Sequence, residues 1–219
     1  MTLKLYGHPF SSYTWKALIP LYENGTEFEL VNVDPAYPEA MPRLLELWPL
    51  GKFPVLVDGD RTVLESSTII EHLQIHHPGP ARLIPSDPDA ALEVRMLDRI
   101  FDNHVMGQMQ RPVSDALLPP DRRDPGLAAE VYVALAKIYG WLDGWLEGRE
   151  WAAAGQFSLA DCAAAPALFY ADWVHEIAPE FVNLKTYRAR LLARPSVARA
   201  VDEARPYRGY FPLGAPDRD

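Results

Sequence analysis

The spacing of apolar residues divides the chain into two parts with different patterns. In the first part, apolar and polar residues alternate over residues 3–6, which predicts a short strand closed by Gly7-His8-Pro9. An amphipathic helix is predicted to follow from Ser11, with apolar positions at Trp15, Leu18, Ile19 and Tyr22. Pro20 lies inside this pattern and predicts a kink, because proline removes a backbone donor.

The next segments complete a mixed α/β unit. Residues 28–33 predict a second strand and residues 38–48 an irregular helix. The step Asp58-Gly59 lies between two β-forming segments, which is a strong hairpin signal. A helix is predicted over residues 66–76. The predicted order is therefore β-α-β-α-β-β-α.

Beyond this unit the pattern is entirely helical. Before it, four prolines at positions 78, 80, 85 and 88 predict a stiff linker, because a helix cannot continue through them. Ser158 and Asp161 have the spacing of a capping box, which predicts a helix start at Ser158. We expect an N-terminal α/β domain followed by an all-α domain. The predicted limits are residues 1–78 for the first domain, 79–88 for a linker, 89–205 for the helical domain and 206–219 for an irregular tail.

Composition narrows the functional classes. The formal net charge of −9 argues against a nucleic-acid partner, which requires clustered Lys and Arg. No apolar stretch has the length of a membrane span, and the first twelve residues lack a signal-peptide core. Cys162 is the single cysteine, so neither an internal disulfide nor a Cys-x-x-Cys pair is possible. A reducing cytoplasm is the predicted location.

Two segments have the character of a binding site. In Gly51-Lys52-Phe53-Pro54-Val55-Leu56, a proline stands just before a strand. If the Phe53–Pro54 bond is cis, the turn exposes the backbone N–H and C=O of Phe53, which can pair with an extended peptide. Glu65-Ser66 lies where a strand meets a helix N-terminus, and the free N–H groups there favour a carboxylate.

These segments, in this order and at this spacing, resemble the cytosolic glutathione transferase superfamily. That family has a thioredoxin-like N-terminal domain with the pattern Gly-Lys-x-Pro-x-Leu, a short hairpin and Glu-Ser before a helix. The resemblance covers essentially the whole chain. It implies that the Phe53 backbone, beside cis-Pro54, holds the cysteinyl part of glutathione. It also implies that Glu65 and Ser66 bind the γ-glutamyl end and that Lys52 lies near the glycyl carboxylate.

The resemblance also places an activating hydroxyl at the start of the first helix. Ser11-Ser12-Tyr13-Thr14-Trp15 is similar to the Ser-Ser-Cys-x-Trp motif of the zeta class, which favours Ser11. Counting back from Lys16 against the theta and delta pattern favours Ser12. These two rank equally, and Tyr6, at the position of the tyrosine-type classes, ranks third. A helix N-cap without catalysis is the alternative reading of Ser11 and Ser12.

The predicted reaction is attack of glutathione thiolate on a small electrophile, in a detoxification enzyme. Two alternatives stay open: glutathione-dependent isomerisation of a maleyl-type substrate, and a non-catalytic glutathione-binding or regulatory protein. A homodimer is expected by analogy with the family. No metal is expected, because His72 and His76 have a spacing that zinc can use but no third ligand is evident from the sequence.

Overall fold

The computed structural model describes residues 3–219, which form a small sheet with three helices followed by a helical domain. The strands are β1 (Leu3–Gly7), β2 (Phe28–Asn32), β3 (Val55–Asp58) and β4 (Arg61–Leu64). Their order across the sheet is β2-β1-β3-β4. β2 is parallel to β1, whereas β3 runs antiparallel to both β1 and β4. The predicted hairpin at Asp58-Gly59 is confirmed.

β1 is the strand from which the rest of the N-terminal domain is organised. Leu5, at its centre, is fully buried and lies opposite Leu30 of β2 and Leu56 of β3. Because the two neighbouring strands hold β1 from both sides, its carboxyl end is fixed at one edge of the sheet. That end leads directly into the loop at His8 and the first helix.

Three helices pack on this sheet. They are α1 (Ser12–Glu23), α2 (Ala40–Leu47) and α3 (Ser66–His76). α1 continues past Pro20, and the backbone N–H of Asn24 donates to the Pro20 carbonyl. The predicted element order is confirmed, and α3 has the predicted bounds.

The rest of the chain is helical, and α7 is its central element. The helices are α4 (Pro88–Ile100), α5 (Gly107–Ala116), α6 (Leu127–Trp145), α7 (Leu159–Val174), α8 (Val182–Ala193) and α9 (Pro195–Ala204). A π-helical segment, Phe101–Met106, joins α4 to α5, and a 3₁₀ segment, Arg205–Tyr210, follows α9 in the tail that the sequence predicted as irregular. All of α7 is buried. Within residues 3–219, no helix combines the length and apolar character needed to cross a membrane.

The predicted helix start at Ser158 is confirmed, and its capping box is buried. The Asp161 carboxylate accepts from the backbone N–H of Ser158 at 2.8 Å and from its hydroxyl at 2.9 Å. It also accepts from the backbone N–H of Ala152 at 3.0 Å and from the Tyr187 hydroxyl at 2.6 Å. One carboxylate therefore ties the start of the central helix to the preceding loop and to α8.

We predict that Asp161→Ala lowers the free energy of unfolding by about 3 kcal/mol, because it leaves buried donors without an acceptor. Urea denaturation at pH 7 measures the change as a shift in midpoint with an unchanged slope. Glu147→Ala, at an exposed position, is the control and is expected to change stability by less than about 0.5 kcal/mol. Equal stability of the two variants would contradict the role given to Asp161.

Candidate active site between the two domains

A cleft of about 710 Å³ lies between the α/β domain and the helical domain. The α/β wall consists of His8, Phe10, Ser11, Ser12, Tyr13, Val33, Asp34, Pro35, Gly51, Lys52 and Phe53. The helical wall consists of Met109, Gln110, Val113, Ser114, Leu117, Tyr170, Tyr210, Phe211 and Pro212. The first wall carries polar groups, whereas most of the second is apolar. This combination suits a ligand with one polar and one apolar part.

Ser11 and Ser12 both line this cleft, at the N-terminus of α1. Ser11 is the N-cap residue, and its Oγ accepts the backbone N–H of Thr14 at 3.3 Å. Because the hydroxyl accepts through a lone pair, its own O–H remains able to donate. Ser12 is the first residue of the helix and is more deeply buried than Ser11. The N-cap reading of Ser11 is therefore correct in geometry and leaves its hydroxyl hydrogen available.

Lys52 and Phe53 also line the cleft, and the Phe53–Pro54 bond is cis. Lys52 is exposed, Phe53 is half-buried and Pro54 is buried beneath them at the start of β3. The structure therefore brings four predicted site residues together around one cleft: Ser11, Ser12, Lys52 and Phe53.

Glu65 and Ser66 lie at the N-terminus of α3 and do not line the cleft. Glu65 is exposed and has a φ of 66°, a conformation that is uncommon for a residue with a side chain. Ser66 is buried at the first helical position. Residues held in such backbone conformations cluster at binding sites, which is consistent with a binding role for this helix start.

Tyr6, the third hydroxyl candidate, is not among the residues that line the cleft. It is buried in a separate apolar cluster with Val33, Leu44 and Val55, on the side of the sheet that carries α2. Residues on a strand alternate between the two faces of the sheet, so Tyr6 cannot turn toward α1 without a shift in register.

His8 and Asp34 form a pair in the cleft wall that sequence reasoning missed. The His8 Nε2 lies 3.1 Å from the Asp34 Oδ2, and His8 Nδ1 accepts the backbone N–H of Phe10 at 3.0 Å. The backbone N–H of Ala36 and the His8 side chain hold the pKa of Asp34 below its usual range. The parallel pairing of β1 and β2 offers a signal for this pair, because both residues follow the carboxyl ends of adjacent parallel strands.

Tyr13 is a further hydroxyl in the cleft. Burial, reinforced by the Asp102 carboxylate, raises the pKa of Tyr13 to about 12. The phenol is therefore neutral at physiological pH and can donate a hydrogen bond. In the sequence, Tyr13 occupies the position of the cysteine in the zeta motif, and that motif assigns no role to a hydroxyl there.

The chain's C-terminal segment covers one side of the cleft. The Tyr210 hydroxyl lies 3.4 Å from Asp34 Oδ2, and the rings of Tyr207 and His8 meet edge to face at 4.6 Å. Phe211 is buried and stacks near Tyr170, whose hydroxyl donates to the Phe10 carbonyl at 2.8 Å. The tail thus contacts the loop that leads into α1.

A buried cluster of charges lies behind the cleft and joins α1, α3 and α4. Lys16 is 1% exposed, and its Nζ contacts Asp98 Oδ1 at 2.5 Å and Asp102 Oδ2 at 2.6 Å. It also donates to the Ser67 Oγ at 2.8 Å. Arg99, half exposed, bonds to both carboxylates and to Ser67. The cluster balances two positive against two negative charges.

Comparison with known proteins agrees with this architecture. Residues 5–81 match the family described as "Glutathione S-transferase, N-terminal domain", and residues 108–195 match "Glutathione S-transferase, C-terminal domain". A relative named FtsZ-localized protein A, from Caulobacter vibrioides, is 31% identical over 175 residues, which cover 75% of this chain and 76% of the relative. The chain belongs to the glutathione S-transferase family.

Other members of the family are similar over nearly the whole chain. Glutathione S-transferase F13 from Arabidopsis thaliana is 27% identical over 204 residues, which cover 90% of this chain and 93% of the relative. The crystal structure of a glutathione S-transferase from Methylobacillus flagellatus KT, with GSH bound, superposes with a TM-score of 0.81. It is 27% identical and covers 91% of this chain and 98% of that one. Glutathione is the co-substrate of this family, in agreement with the sequence prediction.

In this member of the family, the buried charges fix the relative position of two helix N-termini. Lys16 lies one turn after Ser12 in α1, and Ser67 follows Ser66 in α3. Burial raises the pKa of Asp102 although the attraction of Lys16 opposes this change. The attraction of Lys16 therefore limits the rise in the pKa of Asp102.

We predict that Lys16→Met lowers the free energy of unfolding by about 3 kcal/mol at pH 7, because it leaves two buried carboxylates with one partly exposed partner. The folded pKa of Asp102 is already raised, and loss of Lys16 raises it further. The folded state then binds a proton more readily than the unfolded state. The loss in the free energy of unfolding therefore becomes smaller as the pH falls from about 7 to about 5. Urea denaturation at both pH values measures this.

Arg95→Met is the matched control, because Arg95 of α4 pairs with Glu71 of α3 on the exposed surface. It is expected to cost less than about 1 kcal/mol at either pH. A Lys16→Met deficit as small as that of the control, or one that grows on acidification, would contradict the role of the cluster.

Proposed function

We propose that this protein is a glutathione transferase in which Ser11 holds the glutathione sulfur as its thiolate for attack on a small electrophile. The observation that carries the proposal is the N-cap geometry of Ser11. Its Oγ accepts from Thr14 N–H and it lines the interdomain cleft, so the hydroxyl hydrogen can be donated to a sulfur bound there. This geometry favours Ser11 over Ser12, and the burial of Tyr6 with Leu44 and Val55, outside the cleft lining, supports the serine over the tyrosine.

The chemistry requires the thiol to lose its proton at neutral pH. A free thiol titrates at about 8.5, so most of it is protonated at pH 7. A donated O–H bond and the positive end of α1 both favour the anion. A decrease of about two units in the thiol pKa needs about 2.7 kcal/mol, which these two effects can supply together. The serine stabilises the nucleophile and forms no covalent bond with the substrate.

The predicted glutathione contacts extend from this sulfur position along the α/β wall. We assign the backbone of Phe53, beside cis-Pro54, to the cysteinyl part and Lys52 to the glycyl carboxylate. Glu65 and Ser66 at the start of α3 are assigned to the γ-glutamyl ammonium and carboxylate. Support for the second pair is the free backbone N–H groups of a helix N-terminus, which suit a carboxylate.

The acceptor is assigned to the helical wall. Met109 and Val113 of α5, Leu117 just after this helix and Phe211 of the tail present apolar side chains to the cleft. An apolar electrophile can bury its surface there while its reactive carbon faces the sulfur. The electrophile therefore belongs to a small, apolar class, in which glutathione sulfur replaces a leaving group or adds to an activated double bond.

The assembly of the protein is proposed from the family alone, and its location from the family and its single cysteine. We propose a homodimer, as is usual for glutathione transferases, and a cytoplasmic location. Support for the location is the buried, free thiol of Cys162, whose pKa burial raises well above its usual value, so that it takes no part in redox chemistry.

We predict that Ser11→Ala and Ser11→Gly both lower kcat/KM for an activated aryl chloride by about 10- to 100-fold. The pair separates two roles, because glycine retains most of the capping preference whereas alanine loses about 1 kcal/mol of it. Equal loss of rate in both variants indicates the hydroxyl, and ultraviolet absorbance of the bound thiolate against pH should show a raised thiol pKa. Glutathione affinity, measured by calorimetry, is expected to stay within about threefold of wild type.

Ser12→Ala is the control for this test and should keep most of the wild-type rate. Near-wild-type rates for both Ser11 variants would remove the serine proposal. Loss in Ser12→Ala alone would transfer the role to Ser12.

We predict that Ser66→Ala weakens glutathione binding by about 10-fold, because it removes one hydrogen bond to a charged carboxylate. Thr68→Ala, exposed on the same helix, is the matched control. Calorimetric titration of each variant with glutathione measures the effect. Equal affinity of the two variants would remove Ser66 from the proposed site.

Two other functions have specific support. The order Ser11-Ser12 with Trp15 resembles the zeta motif and supports isomerisation of a maleyl-type double bond, which turnover of maleylacetoacetate tests. The similarity to FtsZ-localized protein A supports a non-catalytic, protein-binding role. Glutathione affinity without conjugation of any electrophile in a broad panel would favour that role.

A further inference from the structure

Two histidines and one aspartate converge at the far end of the N-terminal domain from the glutathione cleft. The Oδ2 of Asp58 lies 2.9 Å from His72 Nε2 and 2.8 Å from His77 Nε2. All three ligand atoms lie within 4.8 Å of one another. Asp58 ends β3, whereas the histidines belong to α3 and the residue after it.

The fold explains why the sequence did not reveal this cluster. His72 and His76 have helical spacing, and sequence reasoning set this pair aside for want of a third ligand. In the structure, α3 ends at His76, and the backbone of His77 leaves the helix with φ −133° and ψ 54°. This change of direction brings His77, rather than His76, to the same carboxylate as His72. The β3–β4 hairpin supplies that carboxylate from a distant part of the sequence.

We propose that Asp58, His72 and His77 form a binding site for a zinc-type divalent transition-metal ion. Two imidazole nitrogens and one carboxylate oxygen make a ligand set that zinc uses when three protein ligands leave one position open. This site is separate from the glutathione chemistry, for which no metal is expected.

The spacing of the ligand atoms is close to what tetrahedral zinc requires. Bonds of about 2.0–2.1 Å at tetrahedral angles separate neighbouring ligand atoms by roughly 3.3 Å. Two of the three separations are 2.8–2.9 Å, and the third is at most 4.8 Å. We infer that rotation of the three side chains brings their separations to this value.

The burial of the three side chains also suits a metal ion. His72 is 8% exposed and held in place, whereas the side chains of His77 and Asp58 are 31% and 21% exposed. Zinc can therefore enter from solvent, and a water molecule can take the fourth position. The Nε2 atoms bind zinc through their lone pairs, so occupancy requires the tautomer with the proton on Nδ1.

His76 provides an internal comparison for this assignment. Its ring lies 4.5 Å from the His72 ring, but its Nε2 lies 2.9 Å from the guanidinium of Arg61 and does not join the cluster. If a cation bound weakly to any nearby histidine, loss of His76 would weaken binding as much as loss of His77. If it binds to the three convergent atoms, only loss of His77 weakens binding.

The position of the site predicts what the ion does. β3 begins beside cis-Pro54 and ends at Asp58, and α3 begins beside Glu65 and ends at His76. The glutathione contacts thus lie at one end of these elements and the metal ligands at the other, separated by about 10 Å along β3 and about 15 Å along α3. The ion clamps the hairpin to the end of α3 and stabilises the fold, without touching the reacting atoms.

Calorimetric titration of the untagged, metal-free full chain with zinc chloride tests the proposal. We expect one ion per chain, a higher melting temperature in its presence, and, with cobalt(II) as a probe, visible absorption bands of a four-coordinate site. His77→Gln and Asp58→Asn are expected to weaken binding at least about tenfold, and His76→Gln, the matched control, by less than about twofold.

Two results would contradict the proposed zinc site. Absence of zinc binding to the wild-type chain, or equal effects of His76→Gln and His77→Gln, would overturn the site and leave a hydrogen-bonded tie between hairpin and helix. Circular dichroism of the metal-free variants checks that each folds. Because His77 is the most exposed of the three ligands, His77→Gln is the variant expected to disturb folding least. Conjugation activity should be unchanged in the variants, so this test is independent of the proposed function.

Discussion

The ion cluster around Lys16 is the interaction on which the arrangement of the site depends. A buried ammonium is stable only with anionic partners, and here the partners come from another part of the chain, at Asp98 and Asp102. Ser67 joins them from α3. Because the charges must be matched inside the protein, α1, α3 and α4 have little freedom to move relative to one another. The two helix N-termini proposed to contact glutathione are held together by this requirement.

The proposed chemistry requires the serine hydroxyl to be held at a fixed distance from the glutathione sulfur. Stabilisation of a thiolate by a hydroxyl and a helix dipole falls off steeply with distance, so the serine must be fixed relative to the bound peptide. Ser11 lies five residues before Lys16 and is fixed by the hydrogen bond that its Oγ accepts from the backbone N–H of Thr14. On the other side, His8 and Asp34 anchor the same loop and the tail residue Tyr210. The β1–α1 loop is therefore held from both domains.

The same tertiary arrangement accounts for the second proposed site. α3 and β3 each have one end near the cleft and the other near Asp58, so both ends of these elements carry polar groups. At the cleft end, these groups match the sequence pattern of the glutathione transferase family. At the other end they are three side chains that meet only because a hairpin and a helix terminus are adjacent in space.

How much the sequence predicted differs between the fold and the site. The hairpin at Asp58-Gly59, the capping box at Ser158 and the bounds of α3 were all predicted correctly, because each depends on residues close together in the chain. The segment around Phe53 was also placed at a binding cleft, through its resemblance to the family. By contrast, no local pattern indicates that Lys16 is buried beside two carboxylates or that Asp34 pairs with His8.

The sequence by itself determined the order of the elements, the two-domain plan and the family, since local propensities and short motifs encode these directly. The tertiary structure alone decided that Tyr6 packs against Leu44 and Val55, that Asp102 lies beside Lys16, and that Asp58 meets His77. The physical reason is that these relations join residues from 19 to 86 positions apart. Such contacts depend on the register of strands and the packing of helices, which no local pattern specifies.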